Sequence, residues 1–145
     1  MGAEDLVIEG QALLGEELLA RNVTIVVERG IIRRIEETSG RPAAWICPAF
    51  FNAHTHVGDS VAMDIPVTGD LEEMVTPPHG LKHRILASTP EDDLVAAMRA
   101  TVRSMYRYGT AGFADFREGG VPGVEALGRA AEGLSCRPLI LGRDG

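Results

Sequence analysis

Cysteine is scarce: Cys47 and Cys136 are the only two in 145 residues. Two cysteines make neither a disulfide framework nor a cysteine-rich zinc site, and a reducing cytoplasm is the expected location. Long apolar runs are missing too. The uninterrupted hydrophobic stretches are a few residues long, far below the ~20 that span a bilayer. The opening Met1-Gly2-Ala3-Glu4-Asp5 is acidic and carries no apolar segment of signal-peptide type. Leu6 stands where an N-myristoylation signal requires Ser or Thr. A concentrated basic footprint is also lacking: 14 Lys and Arg face 21 Asp and Glu, a formal net charge of −7. That balance argues against nucleic acid as a partner, and no basic amphipathic stretch points to a membrane surface. Aromatics are few, at 5%, while 45% of residues are hydrophobic and 24% charged. This is the profile of a globular chain rather than a disordered or fibrous one.

What is present changes character near residue 47. Before it, short β-branched runs alternate with turn residues. Leu6-Val7-Ile8 ends at Gly10, and Asn22 to Glu28 leads through Arg29-Gly30 into Ile31 to Glu36. These predict a small antiparallel sheet with a structural role. Leu13, Leu14, Leu18 and Leu19 fit either a further strand pair or a helical turn. After it, Trp45 to Ala53 is apolar on both alternations, as a strand buried on both faces would be, and Cys47 is expected in the core. A connection rich in Pro and Gly follows from about Val57 to Ser88 and is read as a loop, a lid in the functional case. Thr89 is a candidate cap for a helix opening at Pro90 with three acids and stopped by Gly109. A short buried strand over 110–116, a helix from about Val121 to Glu132 and a strand from Arg137 complete a βαβ pattern. Such a pattern builds a parallel sheet or barrel.

One constellation carries chemistry: Asn52-Ala53-His54-Thr55-His56-Val57-Gly58-Asp59. His54 and His56 are two residues apart at a strand's end, so their side chains leave the same face, with Cα atoms roughly 6–7 Å apart. From there two imidazoles can converge on one metal at about 2.0–2.1 Å. The carboxyl ends of strands are where parallel sheets and barrels place ligands. Three other residues are candidates for substrate contact. Asp59 follows the histidine strand and could equally form a turn or orient a histidine. His83 lies in Pro77-Pro78-His79-Gly80-Leu81-Lys82-His83-Arg84, where Lys82, His83 or Arg84 would touch a polar group if the segment covers substrate; a solvated loop is the other reading. The prolines and Gly80 argue against a helical His79/His83 metal pair. Asp115 ends the second strand, where capping the next turn or pairing with Arg117 is the alternative. Gly119-Gly120 lacks the spacing of a phosphate loop.

The stretch Ile46-Cys47-Pro48-Ala49-Phe50-Phe51-Asn52-Ala53-His54-Thr55-His56 resembles the first barrel strand of the amidohydrolase superfamily. Within it, the branch of cytosine deaminases, adenosylhomocysteine- and methylthioadenosine-type deaminases and triazine chlorohydrolases is the most similar. Gly109 to Asp115 resembles that family's second barrel strand, and the N-terminal segment its β-sandwich. The resemblance implies an α/β fold in two parts: residues 1–47 from a β-sandwich, and 48–145 opening a (β/α)8 barrel. It implies metal-dependent hydrolysis of a C–N bond, by deamination of a cyclic amidine or nucleobase-like substrate or by cleavage of an amide. His54 and His56 would hold one divalent ion, with zinc favoured and iron or manganese also suited to imidazole. The family's further ligands come from later strands, and a whole barrel takes about 250 residues. The chain is therefore expected to be the N-terminal portion of such an enzyme, inactive alone. Its expected partners are a small-molecule substrate and the remaining portion or a complementing chain, and a homo-oligomer is admitted. A non-catalytic structural or assembly subunit is the alternative.

Overall fold

The computed structural model describes residues 5–40, 44–66, 69–77 and 79–143. The chain divides into two compact units, Met1–Pro48 and Ala49–Gly145.

The first unit is a four-stranded sheet ordered β3-β2-β1-β4. Strand β1 (Leu6–Leu14) pairs antiparallel with β2 (Leu19–Glu28), which pairs antiparallel with β3 (Ile31–Glu37). The short β4 (Trp45–Ile46) runs parallel to β1. The leucines left open by the sequence are the end of this hairpin, with Leu14 opposite Leu19. The second turn is Arg29-Gly30, with φ of 50° and 79°. Positive φ at both positions is the two-residue turn whose twist matches flanking strands. A small core of Ala12, Val23 and Ile25 is packed by Ile8, Leu14, Val27 and Ile46.

The second unit is a parallel sheet ordered β5-β6-β7, formed by β5 (Phe50–Thr55), β6 (Thr110–Arg117) and β7 (Arg137–Gly142). Helix α3 (Glu91–Arg107) connects β5 to β6, and α4 (Gly120–Ala131) connects β6 to β7. Their apolar faces meet the sheet: Met98 and Val102 of α3, Ala126, Leu127 and Ala130 of α4, and Phe113 of β6 form one buried cluster. Gly109, at φ 89°, ends α3 in the left-handed conformation that glycine adopts without steric cost.

Four expectations are corrected here. Residues 45–53 are two strands rather than one, and Phe50 and Phe51 are 63% and 58% exposed. Among the described residues β5 pairs only with β6, so it is an edge strand and lacks the two covered faces that its composition anticipates. Cys47 lies in the connection after β4 and is exposed, not in the core. The stretch 57–88 is not a featureless loop: it holds a 3-10 helix (Val57–Ala62), α1 (Leu71–Val75) and α2 (Leu81–Ser88). Asp70 caps α1 by accepting from the Glu73 amide at 2.9 Å. Thr89 does not cap α3. Its hydroxyl donates back to the Ile85 carbonyl at 2.7 Å and closes α2 instead. Among the described residues no helix is long and apolar enough to cross a membrane.

Candidate metal centre

The period-two alternation of β5 sorts its last residues between two environments. Thr55 faces the buried side together with Asp115. His54 and His56 leave the opposite face, where Phe116 of β6 lies under the His54 ring with centroids 4.5 Å apart. The two Nε2 atoms are 3.2 Å apart. Two ring nitrogens sharing one tetrahedral cation at about 2.0–2.1 Å would be about 3.3–3.4 Å apart, so the pair fits a single ion.

The second nitrogen of His56 is also accounted for. Its Nδ1 lies 3.0 Å from the Phe116 carbonyl and 3.3 Å from Glu118 Oε1. Both are acceptors, so Nδ1 carries the hydrogen and the Nε2 lone pair is left for a ligand. That outer hydrogen bond is how metal-binding histidines are commonly oriented. Among the described residues no group of three or more His, Cys, Asp or Glu side chains is placed to hold a metal ion. The two histidines alone fall short of the three protein ligands usual for catalytic zinc.

Asp115 lies beneath this face, fully buried. Its Oδ2 accepts from the Val57 amide at 2.6 Å and lies 2.9 Å from the Thr55 hydroxyl. Burial raises its carboxyl above the usual range, partly offset by the bonds from Val57 and Thr55 and by the Arg117 charge. The structure thus gives Asp115, put forward for substrate contact, to clamping the end of β5 onto β6. His83 likewise spends its Nε2 on the Val75 carbonyl at 3.0 Å, tying α2 to the end of α1.

Asp59 does join the histidines, through residues the sequence reading did not connect. Lys82 Nζ lies 3.0 Å from Asp59 Oδ2 and 2.7 Å from Glu118 Oε1, the same oxygen that faces His56. Burial works against the Lys82 charge, but the hydrogen bonds to Glu118 and Asp59 outweigh it and hold the ammonium above its ordinary range. Burial likewise works to raise the Glu118 carboxyl; Lys82 reverses the balance and holds it below the usual carboxylate range. Glu118 had a legible signal: it stands two residues after Phe116, just past the end of β6, where continued alternation points to the histidine side. Lys82 was legible only as a contact for a polar group of substrate; its meeting with Glu118 depends on how α2 packs.

Residues 45–144 match the model of the amidohydrolase family. A Methanothermobacter thermautotrophicus protein provisionally named an aminohydrolase is 45% identical over 147 residues, covering 96% of this chain and 38% of its own length. An uncharacterised protein of Methanocaldococcus jannaschii is 37% identical over 147 residues, with 95% and 38% covered. The chain therefore spans about 38% of the length of these relatives. In fold, it is similar to a solved structure of molinate hydrolase, with a TM-score of 0.61 at 17% identity over 97% of this chain and 30% of that one. With the family match spanning the histidine strand and every element of the parallel unit, the chain belongs to the amidohydrolase family.

Proposed function

We propose that the whole protein is a metal-dependent hydrolase of C–N bonds, and that His54 and His56 supply two ligands of its divalent ion. In this reading residues 1–47 belong to a β-sandwich, and β5, α3, β6, α4 and β7 are the opening elements of a (β/α)8 barrel. The site then sits at the carboxyl end of the first barrel strand, where barrel enzymes place their chemistry. The observation that carries the reading is the 3.2 Å approach of the two Nε2 atoms, with His56 Nδ1 already engaged by a backbone carbonyl. Imidazole suits zinc, iron and manganese, and zinc is the favoured ion. When bound, the ion would supply Lewis acidity, lowering the pKa of a bound water and polarising the oxygen or nitrogen attached to the substrate's electrophilic carbon.

The chain's own residues hold and orient. Asp115 fixes the strand end that carries both histidines, and the Phe116 carbonyl fixes the His56 tautomer. Phe116 is an apolar wall against the His54 ring. The remaining ligands and the proton-transfer groups are assigned to the rest of the barrel, as is most of the substrate pocket. The substrate class we favour is a small cyclic amidine or nucleobase-like molecule that loses ammonia, with an amide as the other option. A cytoplasmic protein is consistent with the scarcity of cysteine.

The test is metal analysis of the full-length protein and of its His54→Ala and His56→Ala variants, alongside ammonia release from a panel of cyclic amidines. The expected result is stoichiometric metal in the wild type, with loss of metal and turnover in both variants. A folded wild-type protein that takes up no zinc, iron or manganese would support a non-catalytic scaffold instead. Retention of full metal and turnover in both variants would overturn the ligand assignment.

A further inference from the structure

Lys82 stands 26 positions after His56 in the chain, yet its ammonium reaches the carboxylate beside that histidine. Its side chain is only 15% exposed and that of Glu118 11%, so the contact is sheltered from solvent. One Glu118 oxygen, Oε1, serves both neighbours: it lies 2.7 Å from Lys82 Nζ and 3.3 Å from His56 Nδ1. A second donor hydrogen of Lys82 reaches Asp59 Oδ2 at 3.0 Å. The cation therefore sits between two carboxylates, one from the 3-10 helix after the histidine strand and one from the residue that follows β6. Without it, the only cation left beside these two carboxylates among the described contacts would be Arg117, whose guanidinium lies 3.8 Å from Glu118 Oε2. Desolvation offsets much of the Coulombic gain of a sheltered pair, so the consequence of the arrangement is chiefly geometric.

We propose that Lys82 is a positioning residue for the metal ligand His56, acting through Glu118. By holding Oε1 against Nδ1, Lys82 keeps a second acceptor beside the Phe116 carbonyl, and the two acceptors together keep the His56 hydrogen on Nδ1 and Nε2 free for the ion. It also makes the ligand's orientation depend on α2 being docked, which links the 71–88 segment to the metal. This proposal rests on the assignment of His54 and His56 as ligands.

The experiment measures zinc affinity of the full-length protein by competition with a chromophoric chelator. The variants are Lys82→Met, Glu118→Gln, their double mutant and Lys82→Arg. Outer-shell partners of metal-binding histidines typically change affinity about 10- to 100-fold, and Lys82→Met is expected near the lower end, at about 10-fold weaker. Because Lys82 acts through Glu118, the double mutant should be no weaker than Glu118→Gln alone, and Lys82→Arg should recover most of the loss. A merely structural lysine would lower the thermal midpoint of the metal-free protein and leave zinc affinity unchanged. Affinity of Lys82→Met within twofold of wild type, or losses that multiply in the double mutant, would overturn the proposal. If Lys82→Met does not fold, Lys82→Gln carries the same comparison. Failure of the underlying reading looks different: His56→Ala would then bind zinc as tightly as wild type.

Discussion

Replacing Asp115 by alanine removes the acceptor that closes the strand end carrying both histidines. Two donors lie against its Oδ2, the Val57 amide at 2.6 Å and the Thr55 hydroxyl at 2.9 Å. The hydroxyl has a second acceptor in the Ala114 carbonyl, also at 2.9 Å, so it stays satisfied. The Val57 amide does not. A buried donor left without a partner costs about 1–3 kcal/mol. At 1.4 kcal/mol per factor of ten, that is about a 5- to 140-fold rise in local opening. The assay is hydrogen exchange in peptides covering residues 55–62 of the full-length protein, where Val57 protection should fall by that factor. Asp115→Asn keeps an acceptor oxygen and should restore most of the protection. The pH dependence has a definite sign. Burial raises the Asp115 carboxyl above its unfolded value, so its stabilisation is complete below the ordinary aspartate pKa of about 3.9 and is lost as pH rises through the raised value. Asparagine does not titrate, so the stability gap between wild type and Asp115→Asn should narrow from acid toward neutral pH. Unchanged Val57 exchange in Asp115→Ala, or an asparagine variant as open as alanine, would refute the clamp.

Two further outcomes test the packing. Leu127 is fully buried between α4 and the sheet, in contact with the cluster of Met98, Val102 and Phe113, and Leu127→Ala should cost about 2–5 kcal/mol in chemical denaturation. A loss below 1 kcal/mol would mean that this cluster is not the core. Two glycines of α4 should respond with opposite signs. A methyl at Gly123 would overlap the Glu118 carbonyl, whereas one at Gly128 meets nothing within 4 Å. Gly123→Ala should therefore destabilise by about 1–3 kcal/mol, and Gly128→Ala should stabilise by about 0.5–1 kcal/mol. Thermal shifts of the same sign in both variants would contradict the packing of α4.

The histidine pair was legible from residues 54 to 56 alone. Alternation along a strand puts positions two apart on one face, and a strand followed by Val-Gly-Asp ends there. The helix after Pro90, its stop at Gly109 and the order of elements from β5 to β7 were legible for the same reason. Periodicity, turn residues and glycine's left-handed freedom are properties of neighbouring residues, so a contiguous stretch reveals them. Helices α1 and α2 were less visible, because they are short and separated by a segment that carries Pro77 and Gly80. The exposure of Phe50 and Phe51 could not be read from an apolar run, since burial depends on which strands cover it.

Sequence by itself determined which two side chains share a face and at which end of a strand they stand. Tertiary structure alone decided what surrounds them. Asp115 reaches back 58 positions to the Val57 amide, His56 reaches 60 positions to the Phe116 carbonyl, and Lys82 meets Glu118 across 36. Each pairing follows from the parallel register of β5 and β6 and from the docking of α2. Local propensity carries no record of such contacts, because they form only when separate elements are packed together.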